Sequence, residues 1–83
     1  MFKVVYTPAF GRDVKKLHSD VQKRIKLEID LLAEDPFPSN SLKLSGEENT
    51  WRLRIGNYRV TYELNVSLKL IYLLHAAHRK DIY

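Results

Sequence analysis

Apolar and polar residues alternate strictly on both sides of Gly56-Asn57, from Trp51 to Tyr62. That pattern predicts two half-buried strands joined by a two-residue hairpin turn. It also sets the pairing: Ile55 opposite Tyr58, Arg54 opposite Arg59, Leu53 opposite Val60, Arg52 opposite Thr61, and Trp51 opposite Tyr62. With a side-chain period of two, Trp51, Leu53, Ile55, Tyr58, Val60 and Tyr62 share one face, and Arg52, Arg54 and Arg59 share the other.

The remainder divides by the same criterion. Residues 2–6 read as a short strand, after which Thr7 looks like an N-cap with Pro8 in the first helical turn. Phe10, Val14 and Leu17 recur at helical spacing, predicting a short helix to about His18. Ser19 with Gln22 fits a capping box, and Val21, Ile25, Ile29 and Leu32 form the stripe of a longer helix ending near Asp35-Pro36. The two helices should form an antiparallel hairpin with Lys15, Lys16, Lys23, Arg24 and Lys26 on or near its solvent face. Residues 36–50, with Pro36, Pro38, Asn40, Gly46 and Asn49, read as a surface loop with room for a brief extended segment at Leu42-Lys43-Leu44. After a turn around Asn65, Val66 and Ser67, residues 68–77 are apolar on both faces apart from Lys69 and His75, the pattern of a central, well-covered strand.

The order β-α-α-β-β-β predicts a small α+β fold, one domain over residues 1–83. Its twisted, largely antiparallel sheet carries a two-helix hairpin on one face. There is no repeat and no linker long enough to separate domains. The chain has 83 residues and no Cys, so thiolate chemistry and disulfides are unavailable. No apolar run approaches membrane-spanning length and the N-terminus reads as a strand, so a cytoplasmic protein without membrane association is expected.

Charge narrows the choice of partner. The net charge is +4, yet eight Lys/Arg balance eight Asp/Glu in residues 1–50. The excess lies in residues 51–83, where Arg52, Arg54, Arg59, Lys69, Arg79 and Lys80 face only Glu63 and Asp81. Such asymmetry suits a polyanion, with a solubilising surface as the plain alternative. The hairpin sharpens the choice, because two arginines directly opposite one another cost up to roughly 1 kcal/mol. A chain that accepts this cost is expected to use the guanidinium groups on an anion, phosphate first, since the planar fork matches its oxygens.

The hairpin Trp-Arg-Leu-Arg-Ile-Gly-Asn-Tyr-Arg-Val-Thr-Tyr and the ending His-Arg-Lys-Asp-Ile-Tyr, in this element order, resemble the RelE/ParE superfamily of toxins of toxin–antitoxin pairs, RelE more than ParE. What the resemblance implies is a ribosome-dependent endoribonuclease that cleaves mRNA in the A site. The ribose 2′-hydroxyl attacks the adjacent phosphate to leave a 2′,3′-cyclic phosphate, with no metal and no cofactor. It also implies an acidic, RelB-like antitoxin as partner in a hetero-oligomer, and contact with ribosomal RNA through the helix cations Lys15, Lys16, Lys23, Arg24 and Lys26. Carried over by motif, the family's active site falls on Arg52, Arg54, Arg59, Arg79 and Tyr83. Arginine stands at 52 and 54 where some relatives have lysine, which leaves no titrating group there. The sequence ends at Tyr83 where relatives often continue, so the terminal carboxylate could repel substrate or accept a proton.

From the residues themselves, four arginines could stabilise a dianionic phosphorane-like state. The proton acceptor is less plain. Tyr83, ordinarily titrating near ~10, needs neighbouring arginines to favour its phenolate, and is otherwise an exposed chain-end tyrosine. His78 is the alternative base or acid, or a polar strand-end residue. His75-x-x-His78 makes no metal site, because strand geometry turns the two apart and no Cys or carboxylate pair completes a set. Trp51 and Tyr58 could stack on bases, but their face predicts core packing. Two other functions stay open: a ParE-like inhibitor of DNA gyrase, and a catalytically silent antitoxin partner in a repressor complex.

Overall fold

A computed structural model describes residues 1–44, 46 and 48–82, with side chains described up to Lys80. The elements are β1 (Lys3–Tyr6), α1 (Pro8–Lys15), α2 (Ser19–Glu34), β2 (Ser41–Lys43), β3 (Thr50–Ile55), β4 (Tyr58–Asn65), β5 (Leu70–His78) and α3 (Arg79–Ile82). The expected order is present, with two additions, β2 and the short α3.

Local chemistry starts each helix. Thr7 caps α1 by accepting the Phe10 N–H, and its hydroxyl donates to the Leu73 carbonyl at 2.6 Å, which ties the start of α1 to β5. The helix stops at Lys15, short of His18. The second helix is capped differently from the expected box. His18 is the N-cap, its Nδ1 accepting the Asp20 N–H, while Gln22 reaches back to the Leu17 carbonyl at 2.9 Å. An imidazole nitrogen one position earlier thus takes over the capping of the first turn, accepting the Asp20 N–H in place of the donors a Ser19 hydroxyl would meet.

The five strands run β1-β5-β4-β3-β2, antiparallel throughout except for β1 beside β5. Hairpin register follows the alternation pair for pair, from Thr50–Glu63 to Ile55–Tyr58. A register shift between Thr61 and Tyr62 against β5 preserves inward placement on both sides of it: Leu64 with Ile71, Tyr62 with Leu73, then Val60 with Ala76. These side chains, with Leu53 and Ile55, pack against Phe10, Ile25, Ile29 and Leu32 of the helices. All are 4% exposed or less, so one face of the sheet and one stripe of each helix make the core.

The last strand begins at Leu70, not residue 68, because Leu68 donates to Asn65 Oδ1 and Lys69 adopts φ +54 in the turn. Nor is it covered on both faces. Leu70, Tyr72 and Leu74 are only half-buried, since the helices occupy one side. Burial raises the Tyr62 phenol above its ordinary value of 10.0, the Ser41 hydroxyl opposing the shift and Asp35 adding to it. Its hydroxyl donates to the Pro36 carbonyl at 3.0 Å.

Candidate functional site

The tip of the β3–β4 hairpin is the starting point. Gly56 has φ +60 while Asn57 is not left-handed, the arrangement of a type II′ turn, which needs glycine at its first central position. One step from the turn, Arg54 directs both backbone groups to the other side. Its N–H donates to the Asn40 carbonyl at 2.9 Å and its carbonyl accepts the Asn40 amide at 2.8 Å. Arg54 and Arg59 are therefore a non-hydrogen-bonded pair, the kind whose side chains stand closest.

Arg52 lies on the same face, opposite Thr61 on one side and Leu42 on the other. The three arginines and the segment Ser39, Asn40, Ser41 and Leu42 enclose a groove of about 300 Å³ on the face the helices leave open. Arg59 is half-buried and bends toward the turn, Nη1 donating to the Gly56 and Tyr58 carbonyls at 3.3 and 3.1 Å. No carboxylate lines this groove among the described residues. Chemically it is a set of planar donors held on a rigid sheet, suited to bind an anion or to stabilise negative charge that develops on one.

Arg79 reaches the hairpin tip through its backbone and does not line the groove: its N–H donates to the Asn57 carbonyl at 2.7 Å, so α3 begins against the turn. His78 is placed elsewhere. It pairs with Tyr58 in register, and their rings meet edge to face at 5.1 Å, on the core side with Val60 and Ala76. Its Nδ1 accepts the Lys80 N–H at 3.2 Å, so the neutral ring carries its proton on Nε2. The structure thus groups Arg52, Arg54 and Arg59 in one groove, attaches Arg79 beside them, and puts His78 across the sheet. Tyr83 lies outside the described residues.

The helix cations are exposed as expected but do not form one surface. Lys23 and Lys26 border an apolar groove with Tyr6, Phe10, Val14, Ile25 and Ile29, and Lys26 pairs with Asp30 at 3.6 Å. Lys16 borders the cleft that contains Tyr58 and His78. Arg24 reaches the hairpin, where its Nη1 lies 3.2 Å from the position a Cβ on Gly56 would occupy.

Two contributions escape the sequence pattern. Asn40 buttresses Arg54 from what reads as loop, and only the embedded Leu-Lys-Leu hints that a strand forms there. Asp13 Oδ2 accepts the Ala76 N–H and meets His75 Nδ1, both at 3.1 Å, tying α1 to the part of β5 beyond its pairing with β1. His75 and His78 turn to different partners, and no group of three or more metal-ligating side chains gathers among the described residues. Trp51 packs on Phe37 with ring centroids 5.2 Å apart, and Tyr58 packs on His78, so neither stands in the arginine groove.

Residues 4–83 match the family described as ParE toxin of type II toxin-antitoxin system, parDE. Toxin RelE3 of Methanocaldococcus jannaschii is 37% identical over 89 aligned residues, covering 98% of this chain and 94% of that protein. Among solved structures, the fold matches a chain of the RelB-RelE antitoxin-toxin complex from Methanococcus jannaschii with a TM-score of 0.80. That match has 30% identity over 95% of this chain and 94% of the other. A chain of the archaeal RelE-RelB complex from Pyrococcus horikoshii OT3 matches with a TM-score of 0.84 and 26% identity, over 94% of each. An arginine-lined hairpin on a sheet backed by two helices, matched along nearly its whole length in sequence and in fold, makes this chain a RelE-like member of the ParE/RelE family of toxins of type II toxin–antitoxin systems.

Proposed function

We propose that this toxin is a ribosome-dependent endoribonuclease that cuts mRNA in the A site and so stops translation. The observation that carries the reading is the groove on the open sheet face, which Arg52, Arg54 and Arg59 line together. Cleavage proceeds by attack of the ribose 2′-oxygen on the adjacent phosphorus. The P–O5′ bond breaks, leaving a 2′,3′-cyclic phosphate and a 5′-hydroxyl. The 2′-hydroxyl proton goes to a base and the 5′-oxygen takes one up.

The arginines, with Arg79 beside the tip, stabilise the extra negative charge of the pentacoordinate state. The ribosome supplies alignment, a contribution that reaches many orders of magnitude in oriented reactions. Tyr83 is the group assigned to proton transfer. His78, whose Nδ1 holds the start of α3, acts as a positioning residue in this scheme. Lys15, Lys16, Lys23 and Lys26 contact ribosomal RNA backbone, a recognition by charge and shape.

An acidic RelB-like antitoxin is the proposed partner in a hetero-oligomer; the archaeal relatives of known structure are RelB complexes. A ribosomal substrate puts the site of action in the cytoplasm, and no described helix is long and apolar enough to cross a membrane.

Primer extension on mRNA in a purified translation system tests the reading. Wild type should cut within the A-site codon only when ribosomes are present, and Arg59→Ala should lower the rate by about 100-fold, the usual loss for one such donor. Tyr83→Phe should also slow it. The match to the ParE description supports gyrase inhibition as a second reading. Intact mRNA together with blocked supercoiling by folded wild-type protein would replace the first reading by the second.

A further inference from the structure

On sequence grounds Arg24 belongs with the helix lysines, yet its guanidinium packs on the hairpin turn. A methyl group on Gly56 would stand 3.2 Å from Arg24 Nη1, 3.7 Å from Cζ and 3.9 Å from Nη2, so the planar group lies directly against this residue. Arg59 approaches the same glycine through its carbonyl, Nη1 to oxygen 3.3 Å. With ordinary backbone bond lengths, the two Nη1 atoms stand at most about 11 Å apart. Neither guanidinium pairs with a carboxylate among the described side chains.

The stretch of backbone that carries Arg24 is well anchored. The neighbouring Ile25 is 1% exposed, which holds this turn of α2 in place over the sheet. Gly56 is what admits the contact, having no Cβ to occupy the space and a φ of +60 that other residues resist. Cations brought together from two different elements around one exposed glycine favour a ligand carrying several negative charges in succession. A single-stranded nucleic acid, with a phosphate at each nucleotide, is such a ligand.

We infer that Arg24 is a substrate-binding residue: it holds the mRNA phosphate next to the one at Arg54 and Arg59, as the strand passes round the hairpin tip. This assignment rests on the RNA-cleaving reading and moves Arg24 from the ribosomal RNA surface to the message. It makes Gly56 a specific requirement of binding in addition to a requirement of the turn.

The test is fluorescence anisotropy with a short, labelled 2′-O-methyl oligoribonucleotide, which cannot be cleaved, and no ribosome. Wild type, Arg24→Ala, Arg59→Ala and Lys3→Ala are titrated at several salt concentrations, after far-ultraviolet circular dichroism shows each to be folded. Lys3 sits on β1, opposite Leu70 at the far end of the sheet from the hairpin tip, and serves as the control. The expected result is weaker binding for Arg24→Ala, about fivefold at low salt, with the slope of log affinity against log salt reduced by about 0.7, and no change for Lys3→Ala. Wild-type binding that weakens in Arg59→Ala but not in Arg24→Ala overturns the inference while leaving the phosphate groove standing. Binding that is absent, or indifferent to Arg59 as well, overturns both.

Discussion

Replacing the charge at Arg54 should make this protein more stable and less able to bind anions. Arg54 turns both backbone groups toward Asn40, so it meets Arg59 in a non-hydrogen-bonded pair, with Cα atoms about 4.5 Å apart. Arg59 bends toward the turn carbonyls, which widens the gap between the charges. Two unit charges roughly 8 Å apart in water repel by about 0.5 kcal/mol, within the range of roughly 0.2–1 kcal/mol for cross-strand pairs.

Arg54→Gln keeps an unbranched polar side chain and leaves the backbone bonds to Asn40 in place while removing the charge. With a urea m-value of about 1 kcal/mol per molar for a chain this small, its midpoint should rise by about 0.5 M. Arg59→Gln confounds this gain with the loss of its two turn hydrogen bonds, so the informative quantity is the double-mutant cycle. The double variant should fall short of the sum of the singles by about 0.5 kcal/mol at low salt and match it in 1 M salt, where screening acts over about 3 Å. Inorganic phosphate should stabilise wild type more than either single variant. A coupling of zero at low salt would remove the ground for an anion at this pair, because arginines that do not repel give no cause to expect one.

Thr7→Ala removes both the cap of α1 and the bond to Leu73, and should cost about 1–2 kcal/mol in urea unfolding, while Thr7→Ser should restore most of it. Tyr62→Phe leaves the buried Pro36 carbonyl without its donor and should cost about 1–2 kcal/mol near neutral pH. The cost should shrink in alkali. Burial raises the folded-state value of this phenol above 10.0, so the unfolded chain ionises first. The stability that Tyr62 contributes is therefore complete below pH 10 and is lost as pH climbs from there through the folded-state value. Urea midpoints from pH 8 to pH 11.5 that run parallel for wild type and Tyr62→Phe would contradict this linkage.

Features of this chain that depend on near neighbours are legible in its pattern, and features that depend on distant ones are not. The hairpin register was legible because period-two alternation and a two-residue Gly-Asn turn leave one pairing that buries the apolar set. The stripe of α2 was legible for the same reason at helical spacing. The cap of α2 was not, since His18 and Ser19 both offer an acceptor at adjacent positions. The extended segment around Leu42-Lys43-Leu44 was only hinted at, because the strand character of β2 comes from pairing with β3 and not from its own alternation.

Local periodicity acting with the hydrophobic effect was therefore enough for the order β-α-α-β-β-β, for the inward faces of the two helices and of the β3–β4 hairpin, and for the placement of three arginines opposite that hairpin face. Tertiary structure alone decided what those arginines stand beside. It built the second wall of the groove from residues 39–42, carried Arg24 from α2 onto Gly56, attached the start of α3 to Asn57, and set His78 on the opposite side of the sheet. Such juxtapositions join residues far apart in the chain. They follow from how helix, hairpin and terminus close around a shared core, which no window of sequence contains.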